Sequence, residues 1–280
     1  MQTITTTLTT TPTVTDTLTI TSTPTNTSVP TATPTLTPTS TLTPTATLVP
    51  SAYLNAVLAN HPVSYWRLDE SSGITAADSQ HANNGTYTAS PALSQPGALS
   101  GDPDTAVSFN GASQYVSVPY SATLNPATFS VEVWAKPIGG AGTYRGVIAS
   151  RAYPNGWVLY AGSNNIWQFW INNGTGMLAI SGGPITLNAW THLVGTFDGT
   201  TVRFYVNGVQ ASSAAVASYH PQTTKALAIG QGEPGNGFFF PGVIDEPAVY
   251  GSILSASQVQ TDYLLGSQGP TVTPTPTVGP

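Results

Sequence analysis

Any chemistry in this chain has to come from few charged groups. Six lysines and arginines, twelve aspartates and glutamates and four histidines are spread over 280 residues, and there is no cysteine. Hydrolysis by carboxylates needs two of them flanking one bond, and no predicted strand carries two carboxylates at spacing two. His61, His81, His192 and His220 have no metal-ligand spacing, and no Gly-x-Ser-x-Gly elbow raises a serine nucleophile. His192 falls inside a predicted strand and reads as structural. Gly230 to Gly235 matches Gly-x-Gly-x-x-Gly, but Pro234 interrupts it and no helix pattern follows, so the phosphate-cradling context is missing. The chain is therefore read as non-enzymatic, with no catalytic residue assigned.

Binding is the other chemistry on offer. Sugar recognition needs exposed aromatic platforms beside polar loops, and Trp157, Tyr160, Trp167, Trp170 and the run Phe238-Phe239-Phe240 are available. Three consecutive phenylalanines cannot all face inward on a strand. Trp157, Tyr160 and Phe239 are accordingly the expected ligand or partner contacts, with Phe239 the exposed member of its run.

The elements that would carry these residues are strands. Twenty-seven glycines, 24 prolines and 9% aromatics fit many short strands and tight turns better than helices. His192 to Phe197, Asp198-Gly199, Thr201 to Val206 and Asn207-Gly208 read strand, turn, strand, turn, since Asp-Gly and Asn-Gly between alternating segments mark hairpins. Val202, Phe204 and Val206 share one face, with Arg203 and Tyr205 on the other. Phe129 to Trp134, Gly146 to Ser150, Gly156 to Tyr160 and Ile166 to Ile171 alternate similarly. The fold class is all-β, an antiparallel sandwich. Two helices are predicted at its edges. One lies near Leu54, Val57 and Leu58; the other starts at the capping box of Ser255 and Gln258, with Leu254 and Val259 as staple and Gly266 as its end.

Composition divides the chain into residues 1–50, a domain at 51–268, and residues 269–280. Threonine holds nearly every odd position from Thr3 to Thr47, with Val29 the gap, and Thr271, Thr273, Thr275 and Thr277 resume the alternation. As a solvated linker such a segment buries too little to order itself. As an extended strand it would line its hydroxyls on one side, with prolines stripping donors from one edge only; as polyproline II it would be a semi-rigid spacer. Threonine-rich sequence with proline is also the composition of O-glycosylated stalks. The candidate acceptors are Thr13, Thr23, Thr25, Thr33, Thr35, Thr37, Thr43, Thr45, Thr273 and Thr275. Sequons also occur at Asn26, Asn84 and Asn173.

Net charge is −6 at a pI near 4.8, and the cations are scattered, which excludes a phosphate-backbone footprint and hence nucleic acid. No apolar run approaches the ~20 residues of a membrane span. Met1 is not followed by a basic and then an apolar segment, and threonine-rich sequence stands at both ends, so the chain reads as an excerpt of a longer protein.

Five segments carry a family resemblance: YWRLDE from Tyr65, AVSFNGASQYVSVP from Ala106, FSVEVWAKP from Phe129, WTHLVGTFDGTTVRFYVNGV from Trp190, and GVIDEPAVYGSILSASQV from Gly242. In this order they resemble laminin-G-like jelly-roll domains of the concanavalin A-like type. The resemblance implies two stacked antiparallel sheets in a secreted or surface protein, and puts Trp66, Trp134 and Trp190 in the core. Glucanases of this broad fold place their carboxylates on one strand as Glu-x-Asp-x-Glu, and Asp245-Glu246 lacks the flanking glutamates. It also implies a Ca²⁺ ion held by Asp245, near the last strand, and by Asp78, which opens an early loop. Pro247 departs from the pattern and predicts a bulge or edge. The expected function is an extracellular structural or adhesive surface protein, a jelly-roll head on a glycosylated stalk that self-assembles as an oligomer or fibre. The alternative is a carbohydrate-binding module, with spacer, of a secreted glycoside hydrolase; glycans are then ligands rather than attachments.

Overall fold

The computed structural model describes residues 51–268. The threonine-rich segments, with candidate acceptors Thr13, Thr23, Thr25, Thr33, Thr35, Thr37, Thr43, Thr45, Thr273 and Thr275, lie outside the described residues. The chain enters through helix α1 (Ala52–Ala59), capped by the Ser51 hydroxyl, and short strands β1 (Ser64–Tyr65) and β2 (Thr75–Ala76). Strands β3 (Gly85–Thr88), β4 (Ala92–Pro96), β5 (Thr105–Asn110), β6 (Tyr115–Val118) and β7 (Phe129–Pro137) follow. Next come β8 (Arg145–Ala152), β9 (Asn155–Ala161), β10 (Ile166–Asn172), β11 (Met177–Pro184) and β12 (Thr191–Phe197). The hairpin strands β13 (Thr201–Val206) and β14 (Val209–Ala215), then β15 (Leu227–Ile229), β16 (Pro241–Tyr250) and helix α2 (Ala256–Gln268), complete it.

The strands form two antiparallel sheets. The first runs β14-β13-β12-β7-β16-β5-β4, with β1 also paired to β16; the second runs β11-β10-β9-β8-β15-β6-β3-β2. The Asp198-Gly199 and Asn207-Gly208 turns connect β12, β13 and β14, with Asn207 and both glycines at positive φ. Between the sheets lies an apolar core that includes Trp66, Phe109, Phe129, Trp157, Trp167, Phe169, Phe197 and Phe204. Each such side chain stabilises the fold by about 1.5–3 kcal/mol relative to exposure.

A second apolar layer covers the outer face of the first sheet. Strand β7 sends Phe129, Val131, Val133 and Ala135 to the inter-sheet core and Trp134 outward, where Tyr53 and Val57 of α1, Val259 of α2, Tyr205 and Tyr250 bury it. Tyr205, alternating away from the core as its period requires, is therefore buried as well. The α2 capping box forms as read: Ser255 N donates to Gln258 Oε1 at 2.9 Å and Gln258 N to Ser255 Oγ at 3.3 Å. Gly266 does not end that helix. It lies inside α2 against Trp134, so its role is close approach rather than chain reversal. Trp190 is half-buried beneath Lys136, whose Nζ stands 4.7 Å from the ring centroid, rather than in the core.

Candidate functional site

Two clusters of polar and aromatic side chains stand out, one on each sheet. Among the described residues both α-helices belong to the layer on the first sheet, so the outer face of the second sheet carries a different cover. There Ala149 of β8 and Val158 and Tyr160 of β9 are roofed by Tyr144 and by Trp170 of β10. Tyr144, Trp170 and Phe238 stand edge-on or tilted to Tyr160, at 5.4, 5.7 and 6.0 Å between ring centroids. Phe238 arrives on the loop between β15 and β16. That loop passes so close over the sheet that a Cβ at Gly232 would overlap the Tyr160 ring, and one at Gly146 would overlap the Gly232 backbone.

This arrangement corrects the expected contacts. Trp157 points into the inter-sheet core and stacks on Phe129 at 5.5 Å, because its parity on β9 is opposite to that of Tyr160. Tyr160 is on the outer face but only 2% exposed, since its neighbours cover it. In the phenylalanine run Phe238, 40% exposed, is the open residue; Phe239 is half-buried beside Tyr115 and Phe240 is buried. Phe238 adopts φ 57°, which breaks strand alternation at that point. The rings offered to solvent are thus Tyr144, Trp170 and Phe238, and next to them Tyr153, 64% exposed.

Polar groups border the rings. Arg151 Nη1 donates to the Tyr160 hydroxyl at 2.6 Å and its guanidinium lies 5.3 Å from the Tyr153 ring centroid. Arg151 Nε is 3.7 Å from Glu233 Oε2, and Lys225 Nζ donates to Glu233 Oε1 at 3.3 Å. Trp170 Nε1 donates to Gln168 Oε1 at 3.0 Å, which fixes the indole. Tyr144, Arg151, Lys225 and Glu233 escaped the sequence reading. They lie in or beside loops whose positions over the sheet depend on non-local packing.

The second cluster is acidic and lies on the first sheet. One carboxylate oxygen each from Asp104, Asp245 and Glu246 lies within 4.8 Å of the others. A bulge in β16 between Asp245 and Ala248, at the position of Pro247, turns the strand, and Glu246 takes φ 54°. Arg67 Nη2 meets Asp104 Oδ2 at 3.0 Å and Arg67 Nε meets Glu246 Oε1 at 3.3 Å, while Ala98 N donates to Asp245 Oδ2 at 2.7 Å. Each carboxylate then keeps one buried oxygen without a partner: Asp104 Oδ1, Asp245 Oδ1 and Glu246 Oε2. Burial raises the pKa of Asp104 to about 6, and burial with the neighbouring Asp104 charge raises Asp245 well above the usual range; burial does the same for Glu246. Three buried carboxylates with one oxygen each within 4.8 Å, against one guanidinium, offer hard oxygen ligands of the kind a Ca²⁺-type cation takes. Asp245, Asp104 and Glu246 would hold it, and the ion would replace protons as the counter-charge.

Asp78 is not part of this set. Its Oδ1 accepts from the backbone N–H of Tyr65 and Gln80 at 2.9 and 3.0 Å, and its Oδ2 from Ala82 and Asn83 at 3.2 and 2.8 Å. With four donors satisfied, the carboxylate organises the loop after β2 and has no free lone pair aimed at Asp245. His192 is buried beneath the helices, with Nε2 2.7 Å from Glu132 Oε1, and the Tyr53 and Tyr250 hydroxyls donate to the same carboxylate at 3.1 and 2.6 Å.

Sequence comparison independently assigns the family. The profile of the concanavalin A-like lectin/glucanases superfamily matches residues 110–260, and the chain belongs to that superfamily. Among solved structures, domain 4 of AbnA, a GH43 extracellular arabinanase from Geobacillus stearothermophilus, in complex with arabinotriose, is 22% identical. The TM-score is 0.54, over 72% of this chain and 98% of that one. Trypanosoma rangeli sialidase in complex with 2,3-difluorosialic acid gives a TM-score of 0.58 at 17% identity, over 74% of this chain and 33% of that one. The binding domain of Paraclostridial Mosquitocidal Protein 1 gives 0.57 at 15% identity, over 71% and 51%. These likenesses are of fold. None of the curated proteins matches the chain. No helix among the described residues is long and apolar enough to cross a membrane.

Proposed function

We propose that residues 51–268 are a non-catalytic carbohydrate-binding module of an extracellular protein, with the outer face of the second sheet as the sugar platform. The observation that carries this is the group Tyr144, Trp170 and Phe238 around Tyr160, partly open to solvent on the face that neither helix covers. Rings of this kind stack on the apolar faces of pyranose and furanose rings, and bordering side chains fix the hydroxyls. A non-catalytic reading is supported by the carboxylates: Asp245, Glu246 and Glu132 belong to β16 and β7 of the first sheet, and Glu233, the buried carboxylate beside the rings, stands alone and is tied to Tyr153 N, Lys225 and Arg151. The fold neighbour from the arabinanase was solved with arabinotriose, which supports a glycan as ligand.

A threonine-proline stalk makes such a module an adhesive head, and the same module beside a hydrolase domain would be a targeting device; the binding chemistry is common to both. Calorimetric titration with soluble oligosaccharides tests the reading. A saccharide that binds the wild-type chain and loses about tenfold or more in affinity on Trp170→Ala supports it, on the scale of a stacked aromatic contact. Equal affinity in that variant contradicts it.

A further inference from the structure

We infer that the glycan taken by this face carries a carboxylate, as uronic and sialic acids do; the inference rests on the reading of the second sheet's outer face as the sugar site. The groups beside the rings are bonded unequally. Glu233 is 3% exposed and engaged from within: Oε1 accepts from Tyr153 N at 3.1 Å and from Lys225 Nζ at 3.3 Å, while Oε2 faces Arg151 Nε at 3.7 Å. Burial works to raise its pKa, yet the Tyr153 N–H, the Asn236 side chain, Arg151 and Lys225 together hold it below the ordinary value. The carboxylate is therefore an anion already used up by the protein.

Its two cationic partners outnumber it, and one of them reaches solvent. Arg151 and Lys225 are two of the six lysines and arginines in the chain, and against one carboxylate they leave one positive charge in excess. The Lys225 side chain is 36% exposed, and with N–H groups given to Glu233 and to Pro234 O at 3.0 Å its ammonium keeps a third donor for a ligand. Arg151, with its side chain 8% exposed under the ring of Tyr153, contributes charge rather than contact. What a ligand meets beside the aromatic group is thus the Lys225 ammonium, with the Glu233 acceptor hidden. A neutral sugar hydroxyl can accept from the ammonium but brings no counter-charge to it. A carboxylate is acceptor-only when ionised, and charge-assisted hydrogen bonds to ammonium or guanidinium are about twice as strong as neutral ones. The chain's net charge of −6 gives no long-range attraction, so the selectivity is a contact effect.

The test uses the full chain and calorimetry with four ligands: oligogalacturonate, its methyl ester, sialyllactose and a neutral oligosaccharide of similar size. One of the acidic ligands is expected to bind about tenfold or more tightly than the neutral one. The gap closes in Lys225→Gln, closes on methyl esterification if the uronate is the ligand, and shrinks in about 0.5 M salt. Which acidic ligand responds separates a uronate from a sialate. Neutral and esterified ligands binding as tightly as the acids, with Trp170→Ala weakening all of them, overturns the carboxylate and keeps the platform. No binding by any ligand, or binding untouched by Trp170→Ala, overturns both.

Discussion

Gly266 of α2 lies flat against the indole of Trp134 on β7: a Cβ at that position would stand 2.5 Å from Trp134 Cζ2. The absence of a side chain thus sets the distance between the last helix and the first sheet. Trp134 is 2% exposed and held by Tyr53 and Tyr263, at 6.3 and 6.0 Å between centroids, so it has nowhere to retreat. In an open helix, Gly→Ala would stabilise by about 0.8–1 kcal/mol. Here overpacking wins, and Gly266→Ala is expected to destabilise by about 1–3 kcal/mol in urea unfolding.

Gly232 is the matching position on the other sheet. A Cβ there collides with the Tyr160 ring, so Gly232→Ala should lift the loop that carries Glu233 and Phe238. Glycan affinity is expected to fall by about tenfold while the melting temperature changes by only a few degrees, a loop effect rather than a core effect. Calorimetry and thermal melting on the same sample separate the two.

The acidic cluster predicts a cation response. Asp104, Asp245 and Glu246 each leave one buried oxygen unpartnered, and burial favours their protonated forms. Adding Ca²⁺ should raise the melting temperature and release protons into a weakly buffered solution. At free Ca²⁺ of about 100 times the dissociation constant, stabilisation reaches about 2.7 kcal/mol. Asp245→Asn is expected to abolish both signals, and an unchanged melting curve in wild type would count against a cation site.

Asp262 predicts an alkaline limit. Burial, then the nearby Glu132 charge, raises its pKa to about 8, against a hydrogen bond donated by Asn60 that lowers it. A folded pKa above the unfolded value of about 3.9 means the folded state prefers the protonated acid. Stability from this group is complete below the unfolded pKa and declines as pH rises through 8. Melting temperature between about pH 6 and 9 should therefore fall more steeply in wild type than in Asp262→Asn, which carries no proton to lose.

Local chemistry made much of the fold legible. Asp198-Gly199, Asn207-Gly208, the Ser255–Gln258 box and Pro247 each act through their own backbone, and each forms the turn, cap or bulge expected of it. Faces were harder. A period of two separates Trp157 from Tyr160 but does not say which side the partner sheet occupies, nor that Tyr144 and Phe238 close over Tyr160. Asp78 and Asp104 show the same limit: either could meet Asp245 by composition, and only the pairing of β5 beside β16 brings Asp104 there. One signal was present and unread. Glu132 stands alone inside the apolar run FSVEVWAKP, and a lone carboxylate there requires buried donors, which Tyr53, His192 and Tyr250 supply.

The central claim is that sugar lands on the outer face of the second sheet, and the six tryptophans report on it directly. Titration of the labelled chain with a binding oligosaccharide, followed through the indole N–H resonances in a two-dimensional NMR spectrum, locates the contact. The Trp170 resonance, assigned by its loss in Trp170→Phe, should shift in proportion to occupancy, while Trp66, Trp157 and Trp167 in the inter-sheet core stay in place. A bound sugar that leaves Trp170 unmoved and shifts Trp134 or Trp190 instead would place the ligand on the helix-covered sheet and contradict the account.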